Sequence, residues 1–495
     1  MSATAGLWML AAVGIVLIAT GLPAWTVLLG VAAAFAAAGV ALDVFTLPIL
    51  TAAPARVLGL LENDLLQALP LYVLMGALLH HLPLADILFR LTSRLLRRTG
   101  AGPALAGLGL GALLAPMNGA VGSSVATLAR TVSPRLAAAG IAPERNAAIV
   151  AVASTLGVVV PPSLVLILLS DAMMRAHTEA VNATGIAARI VNTQDVFVGA
   201  LLPAAVLFLL HVLLTLRTGR TRRSAPVDVE PSATRGEAVV AGVTFAIVGG
   251  LLAAVTMGYL YAVEAAATGG VLLLAFGALS RTLTARVLCD VLRDTLAVTG
   301  ALFALLVGAT VFTLVLRAYD TDRWVAAALV ALPGGAPATL AVVLATVAAC
   351  ALVLDALEMI FVVIPVVMPA LLAQVGDAAW VAVLTLLILQ ASFLAPPFGY
   401  AVLMVRNVLR EPLATGPLSR ALLPYLGAQL AVVALTLAWP GIVWHRDEPP
   451  GALAPAAAPS GDDARKMLEL QLDQNGAPAA QGDGGDAADR GAGAR

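Results

Sequence analysis

The feature that most constrains this chain is a series of apolar stretches of about 20 residues each, separated by glycine, proline or charged residues. A bilayer core roughly 30 Å thick requires spanning helices of this length. Of the 495 residues, 60% are hydrophobic and 12% are charged, whereas soluble domains are about 45–50% apolar and 25% charged. The sequence therefore predicts an all-α polytopic protein of the lipid bilayer and argues against a soluble enzyme. The formal net charge of −1 gives no reason to expect a nucleic-acid partner.

Two of the apolar stretches are too long for one simple span. They cover about 103–133 and 338–372, and polar residues interrupt each of them in its middle. Pro116-Met117-Asn118-Gly119 interrupts the first stretch, and Asp355 with Glu358 interrupts the second. We interpret both stretches as re-entrant hairpins. Besides them, hydropathy predicts about ten spanning helices, near 6–20, 24–41, 69–88, 146–170, 196–216, 237–259, 262–280, 295–316, 379–405 and 421–443.

Polar segments divide the chain into two membrane halves and a tail. The stretch 217–236 is predicted to be a cytoplasmic linker between a first half, 1–216, and a second half, 237–445. From 446 to 495 the chain is rich in alanine, glycine, proline and aspartate, which cannot bury enough apolar surface to fold, so a disordered tail is expected. Two shorter segments complete the map, a polar outer loop at 171–194 and an amphipathic interfacial arm at 43–66.

The distribution of arginine predicts the orientation in the membrane, because cytoplasmic loops carry the excess of positive charge. One set of alternating loops holds seventeen arginines, and the other set holds five. The larger set is therefore predicted to be cytoplasmic and both termini to lie outside. The seventeen fall in 90–98, 135–145, 217–235, 281–293 and 406–420, and the five are Arg56, Arg175, Arg189, Arg317 and Arg323.

A proline pair recurs in equivalent places in the two halves. Val158-Val159-Val160-Pro161-Pro162-Ser163 corresponds to Phe393-Leu394-Ala395-Pro396-Pro397-Phe398-Gly399, with the pairs 235 residues apart. A polar interruption lies about 40 residues upstream of each pair. Each half thus repeats a hairpin and then a broken helix, and the predicted orientation inverts the second unit. Inverted repeats with discontinuous helices are typical of secondary transporters, because only protein-lined cavities tolerate non-helical backbone at the midplane.

Several ordered motifs carry a family resemblance. They are NDLLQALPL (63–71), GAVGSS (119–124), ASTLG (153–157) leading to PPS (161–163), VEAAA (263–267), GAT (308–310), LD (354–355) and QASFLAPPFG (390–399). With these motifs the chain resembles, over most of residues 5–443, the large membrane subunit of TRAP (tripartite ATP-independent periplasmic) transporters. The wording of 390–399 is similar to the branch often labelled for mannitol or chloroaromatic compounds, which also contains α-keto acid and lactate systems.

The resemblance implies a set of partners and an energy source. The expected partners are a small four-helix membrane subunit, a periplasmic substrate-binding protein and an organic acid, usually a carboxylate. No ATP site and no other cofactor are expected, because a Na⁺ gradient drives symport in this family. The expected location is the bacterial inner membrane, with both termini periplasmic. Three positions depart from the family pattern: Asn118-Gly119-Ala120 replaces Ser-Gly-Ser at the first hairpin tip, Ser124 replaces an aspartate and Val263 replaces a threonine.

The resemblance and the helix breaks together indicate candidate ligands for Na⁺. At a break, backbone carbonyls lose their intrahelical partners and can offer oxygen atoms to a hard cation. Intramembrane charge is costly, which makes Asp355 the strongest single candidate. The simple alternatives are that the prolines only kink their helices and that the hydroxyls bond back to the preceding turn. The candidate Na⁺ ligands are Ser154, Thr155, Gly157, Val160, Pro162 and Asp355, with Leu394 and Pro397 as the counterparts of Val160 and Pro162.

Four polar residues are candidates for binding the substrate. Asn118 can both donate and accept hydrogen bonds, which suits a carboxylate or a cation, or it simply caps a tight turn. Ser124 takes the place of the family's aspartate beyond the first tip, and the Ser163 hydroxyl is free to meet either a substrate carboxylate or a cation. Glu358 lies about one helical turn from Asp355 and is either a substrate-binding or proton-titrating group, or a structural acid bonded to backbone.

These observations predict an elevator-like or rocking transporter. The hairpins and broken helices would form the moving unit, and the other helices would form a scaffold widened by the small subunit. Two other functions stay open: a single-component ion-coupled carboxylate transporter or antiporter that needs no binding protein, and a membrane assembly subunit that transports nothing. A membrane-embedded enzyme is disfavoured, because the sequence offers no nucleophile-base pair or metal cluster.

Overall fold

A computed structural model describes residues 2–62, 64–117, 120–161, 163–187, 191–218, 235–409, 413–444 and 454–455. Almost all of this described chain is helical. The α-helices are α1 (Ser2–Thr20), α2 (Ala24–Ala41), α3 (Leu47–Leu50), α4 (Ala53–Leu61), α5 (Asp64–His81), α6 (Leu84–Leu95), α7 (Gly102–Leu114), α8 (Val121–Thr131), α9 (Ser133–Ala138), α10 (Pro143–Val159), α11 (Leu164–Thr184), α12 (Thr193–Thr218), α13 (Arg235–Thr256), α14 (Ala262–Leu279), α15 (Ala285–Ala318), α16 (Thr321–Val330), α17 (Gly335–Cys350), α18 (Ala356–Glu358), α19 (Ile364–Val375), α20 (Ala378–Leu394), α21 (Tyr400–Val408) and α22 (Thr415–Ala438).

Shorter regular elements complete the described chain. Short 3₁₀ turns lie at Arg97–Thr99, Ala115–Met117 and Pro440–Ile442, and a π-helical turn, Met359–Val363, joins α18 to α19. Two-residue strands, β1 (Ile186–Ala187) and β2 (Ala454–Pro455), pair antiparallel. The predicted disordered tail lies outside the described residues apart from β2, and 219–234 of the predicted linker lies outside them too.

The predicted class, an all-α polytopic membrane protein, is confirmed. Within the described ranges, eight helices are long and apolar enough to cross a membrane, or nine if the bent pair Pro48–Leu61 and Leu66–His81 forms one span. The sequence predicted about ten. The difference arises because α1 and α20 are shorter apolar helices and the predicted span 69–88 is counted only within the bent pair, whereas Ala356–Val375 of the second hairpin is long enough to count. The hairpin helices α7 and α17 are short apolar helices too, which is what hairpins require.

Two predicted segments are wrong in detail. The predicted span 69–88 is two helices instead, because α5 ends at His81 and Pro83 occupies the N-cap position of α6. The predicted polar loop 171–194 is helical as far as Thr184, where Gly185 ends α11 in a left-handed conformation with φ of 66°. Polar residues can extend a membrane helix into water, and an i,i+4 pair of Asp171 with Arg175, at 3.0 Å, supports the extension.

The two halves repeat the same order of elements. A hairpin, α7 and α8, precedes the broken helix α10–α11, and a second hairpin, α17 with α18 and α19, precedes the broken helix α20–α21. The backbone at the two breaks is nearly identical, with φ and ψ of −73° and 113° at Val160 and −71° and 108° at Ala395. Val160 therefore corresponds to Ala395 and not to Leu394, which ends α20 as Val159 ends α10.

The repeated elements form the centre of the molecule. Across Pro143–Thr184, 94% of the residues in the apolar window are buried, compared with 28% for the window in α13. α10 packs against α7, α8, α20, α21 and α22, and α11 packs against α19. A second group of helices packs beside this centre. In it, α15 packs against α2 and α5, and α5 also packs against α14. We call the first group the core and the second the frame.

Candidate functional site

The first helix break is held by a serine that caps the following helix. The Ser163 hydroxyl accepts a hydrogen bond from the Leu166 backbone N–H at 3.0 Å. The same hydroxyl donates towards the Val158 carbonyl at 3.5 Å. Ser163 is fully buried, so its side chain spans the gap between α10 and α11 in the protein interior. Pro162, a predicted ligand, lies outside the described residues.

Two hydroxyls on α10 lie one turn before the break. Ser154 donates to the Val150 carbonyl at 2.6 Å, and Thr155 donates to the Val152 carbonyl at 3.0 Å. Back-bonding of this kind was the simple alternative for both residues. It uses the hydroxyl hydrogen and leaves oxygen lone pairs, so both oxygens still suit a hard cation.

The two broken helices cross at equivalent positions of the repeat. The Gln390 side-chain N–H donates towards the Thr155 hydroxyl at 3.5 Å, and these residues are 235 apart, the same offset as the proline pairs. The Gln390 carbonyl oxygen is buried and has no hydrogen-bond partner among the described residues. An unpartnered buried oxygen beside a hydroxyl fits the all-oxygen ligand set that a hard cation needs. The sequence motif contained Gln390, but only the crossing of α10 and α20 marks it as a candidate.

The first hairpin lies directly against the first break. A Cβ added to Gly157 would lie closer to the Ala115 carbonyl carbon than real Cβ contacts permit. Ala115, Pro116 and Met117 form a buried 3₁₀ turn at the end of α7. The backbone of the hairpin therefore touches the backbone of α10. Asn118, at the tip itself, lies outside the described residues.

The two acids of the second hairpin form a capping box at the start of α18. The Asp355 carboxylate accepts from the Ala356 N–H at 2.8 Å, and the Glu358 carboxylate accepts from the Asp355 N–H at 3.1 Å. Asp355 is 7% exposed. The Val121 backbone N–H, at the start of α8, lies within electrostatic range of this carboxylate. The tip of the second hairpin thus lies beside the start of α8 in the first hairpin.

Tyr400 is a site residue that the sequence reasoning missed. It begins α21, just after the second break, and its phenol lies within electrostatic range of Asp355 and Glu358. Its hydroxyl lies 3.3 Å from the place where a Cβ on Gly122 would stand. Tyr400 therefore connects the second break with both hairpins. Its position directly after the PPFG motif is the one signal that would have indicated it.

The remaining candidates lie around these contacts. Ser124 is buried on α8, and its backbone N–H donates to Ala120 at 3.2 Å. Leu394 is buried at the end of α20, whereas Pro397 is exposed in the second break. The fold thus brings most of the described candidates into the core, around α8, α10, α18 and α20.

Comparisons with known proteins agree with this architecture. The family model described as "Tripartite ATP-independent periplasmic transporter, DctM component" matches residues 11–442. A curated relative, the sialic acid TRAP transporter permease protein SiaT of Haemophilus influenzae, is 22% identical over 406 residues, which cover 80% of this chain. The chain spans only 62% of that relative's length.

Two solved structures are similar. The YdaH transporter of Alcanivorax borkumensis has a TM-score of 0.53 and 18% identity, over 80% of this chain and 88% of that one, which indicates a shared fold. Neisseria gonorrhoeae MtrF matches with a TM-score of 0.49 and 14% identity, over 79% of this chain and 83% of that one.

Proposed function

Because the chain belongs to the DctM component family of tripartite ATP-independent periplasmic transporters, we propose that it imports an organic acid coupled to Na⁺, as the large permease subunit of such a system. Family membership makes it a multi-pass membrane protein with a role in transport. The coupling ion, the carboxylate substrate and the two partner subunits are parts of the proposal. The partners would be a small membrane subunit and a periplasmic substrate-binding protein.

The single observation that carries the proposal is the contact between the two hairpins. The Asp355 carboxylate of one repeat lies within electrostatic range of the Val121 N–H of the other, and Tyr400, just after the second break, lies within range of the same carboxylate. A buried carboxylate among helix ends is costly unless it is neutralised by a cation or held by hydrogen bonds. The N–H groups at the start of α8 favour negative charge. A cation and an organic anion can therefore share this place in the core.

The oxygen atoms near the two hairpins are a suitable ligand set for Na⁺. Near the first break these ligands are the hydroxyls of Ser154 and Thr155, the backbone carbonyls of Gly157 and Val160, and the side-chain oxygen of Gln390. On the second side the Asp355 carboxylate supplies the charge. Hard cations of this kind take oxygen ligands from carboxylates, carbonyls and hydroxyls, which is the set present here. A Na⁺ bound there would supply positive charge to an incoming carboxylate and hold the hairpins in place.

The substrate is expected to bind between the hairpin tips. Ser124 and Ser163 would donate hydroxyl hydrogen bonds to its carboxylate. Glu358 is bonded to the Asp355 backbone and would be a substrate-binding group only through a shared proton or a bridging cation. The branch suggested by the sequence, for mannitol, chloroaromatic compounds or α-keto acids, remains a prediction. The curated relative described above is named for sialic acid, which is a carboxylate.

Coupling would follow from conformational selection. If Na⁺ and substrate each bind the same arrangement of hairpins more tightly, each raises the affinity for the other. The core would then move against the frame and expose the site on alternate sides of the membrane. The small subunit would pack on a lipid-facing surface of the frame side. α13 and α14 offer such a surface, with Phe245 and Val271 more than half exposed.

The test is substrate uptake into proteoliposomes that contain this chain and its small subunit. The binding protein and an inward Na⁺ gradient are each supplied or omitted. Uptake that needs both supports the tripartite, Na⁺-coupled proposal. Uptake that proceeds without the binding protein would favour a single-component transporter, and a proton gradient replacing Na⁺ would overturn the ionic part.

A further inference from the structure

A second site lies far from the hairpin tips, at the opposite end of α10. It is a cavity of about 670 Å³ between the N-terminal ends of α10 and α22 and the C-terminal end of α12. α10 runs for 17 residues from Pro143, beside the cavity, to Val159, just before the break. At 1.5 Å per residue, this is roughly 25 Å along the helix. The cavity is therefore distinct from the proposed transport site.

Two arginines from different helices line this cavity. Arg145 comes from the first turn of α10, and Arg420 comes from α22. One Nη of Arg145 donates to the Thr218 carbonyl at 3.0 Å, which leaves its other N–H groups available. Arg420 has no hydrogen bond or ion pair with any residue inside the described ranges, and its side chain is exposed. Two guanidinium groups facing one cavity are suited to bidentate binding of a phosphate.

The remaining walls are partly acidic and partly apolar. Glu144 contributes one carboxylate, so the three charged side chains sum to +1. Apolar residues cover the rest of the wall, among them Ile149 on α10 and Pro424 on α22. A soluble anion would use only the arginines. An amphipathic ligand would use the arginines and the apolar wall together.

The cavity also lies where a lipid headgroup is expected. Arg145 and Arg420 both belong to the set of seventeen arginines that the sequence predicts to be cytoplasmic. Basic pockets between membrane helices on the cytoplasmic side are typical binding sites for anionic lipid headgroups. A phosphodiester of charge −1 would balance the net +1 of the cavity, and Glu144 would accept hydrogen bonds from headgroup hydroxyls.

We propose that this cavity binds the headgroup of an anionic phospholipid, of the phosphatidylglycerol type, with the phosphate between Arg145 and Arg420. The bound lipid links the ends of α10, α12 and α22. Those helix ends would otherwise meet through the Arg145 bond to Thr218 and the bonds of the Tyr425 hydroxyl with Thr215 and Thr218, at 3.0 and 3.2 Å. The lipid therefore stabilises one end of the core.

The experiment measures thermal unfolding of the delipidated full-length chain in detergent. Phosphatidylglycerol, phosphatidylcholine and inorganic phosphate are added separately. Phosphatidylglycerol is expected to raise the Tm of the wild type by several degrees and to bind at least tenfold more tightly than phosphatidylcholine. Arg420→Gln is expected to remove most of this shift. The matched control is Arg286→Gln, an exposed arginine at the start of α15 that lies outside the cavity and should keep the shift.

Several outcomes would overturn the proposal. Equal protection by phosphatidylcholine would remove the anionic selectivity, and equal protection by inorganic phosphate would assign the cavity to a soluble anion. If phosphatidylglycerol raises the Tm of Arg420→Gln as much as that of Arg286→Gln, the lipid does not bind in this cavity. Arg145→Gln is a second variant, but it also loses the bond to Thr218, so Arg420→Gln is the decisive one. The readout is the lipid-dependent shift in Tm, which is independent of transport activity.

Discussion

Asp355 has two roles at the start of α18. Its carboxylate caps the helix by accepting from the Ala356 N–H, and it brings a negative charge close to the Val121 N–H and the phenol of Tyr400. A substitution that keeps the cap and removes the charge tells the two roles apart.

Replacing Asp355 with asparagine should separate its charge from its capping role. Asparagine caps a helix as well as aspartate does, so the fold should survive. The lost charge should weaken Na⁺ binding by at least tenfold, or about 1.4 kcal/mol. The measurement is the Na⁺ concentration for half-maximal uptake. Asp377→Asn is the control, because Asp377 caps α20 through the Trp380 N–H at 2.9 Å, away from the hairpin tips. An unchanged Na⁺ requirement in Asp355→Asn would remove this carboxylate from the cation site.

Gly157 should tolerate no side chain, because the hairpin backbone occupies the space. Gly157→Ala should lower stability by about 1–3 kcal/mol, as overpacking of a filled core does. Gly109→Ala, on the arm of the same hairpin, has nothing within 4 Å of its added Cβ and should be neutral or stabilise by roughly 0.5–1 kcal/mol. Thermal unfolding in detergent compares the two variants. Equal Tm values would mean that α7 and α10 do not approach as closely as described.

At the scale of elements, the contacts between core and frame determine whether the core can move. One polar contact joins α11 of the core to α15 of the frame, an ion pair between Glu179 and Arg317 at 2.8 Å. The two side chains are 40% and 33% exposed, so the pair contributes at most about 1 kcal/mol. A pair that must break during movement would bias the resting conformation only modestly.

A double-mutant cycle on Glu179→Gln and Arg317→Gln tests that movement. Each single change should alter the uptake rate by up to about fivefold, and the double change should have no larger effect than either one. The control is Asp294→Ala, which removes a bond to His81 between α5 and α15, both in the frame, and should leave uptake unchanged. Strictly additive effects of the two core–frame changes would argue against a coupled contact.

At the scale of the whole molecule, the predicted orientation is open to direct measurement. Cys289 is exposed near the start of α15, in a region predicted to be cytoplasmic, whereas the exposed Arg323 is predicted to lie outside. In intact spheroplasts, an impermeant maleimide should therefore label Cys289→Ser/Arg323→Cys but not the wild type. All variants carry Cys350→Ser, because Cys350 is a second free cysteine. In that background, permeabilised membranes should be labelled at Cys289, and Cys289→Ser should abolish that signal. The opposite labelling pattern would invert the topology and move the lipid cavity to the outer face.

The sequence by itself determined the features that depend on local chemistry. Apolar length gave the spanning helices, because the bilayer sets one thickness for all of them. The hairpins and the breaks followed from prolines and acids placed where a continuous helix is costly. The pattern at Pro161-Pro162 and Pro396-Pro397 was enough to relate the two halves.

Only the tertiary structure decided which distant groups meet. Gln390 and Tyr400 lie in or beside a sequence motif, but no local pattern shows which distant groups they meet, because those contacts arise from the crossing of α10 with α20 and from the approach of the hairpins. The extension of α11 to Thr184 was missed for a related reason, since polar composition alone does not say whether a helix continues into water. Periodicity and hydropathy describe a residue's own helix, whereas a binding site is formed by contacts between helices far apart in the chain.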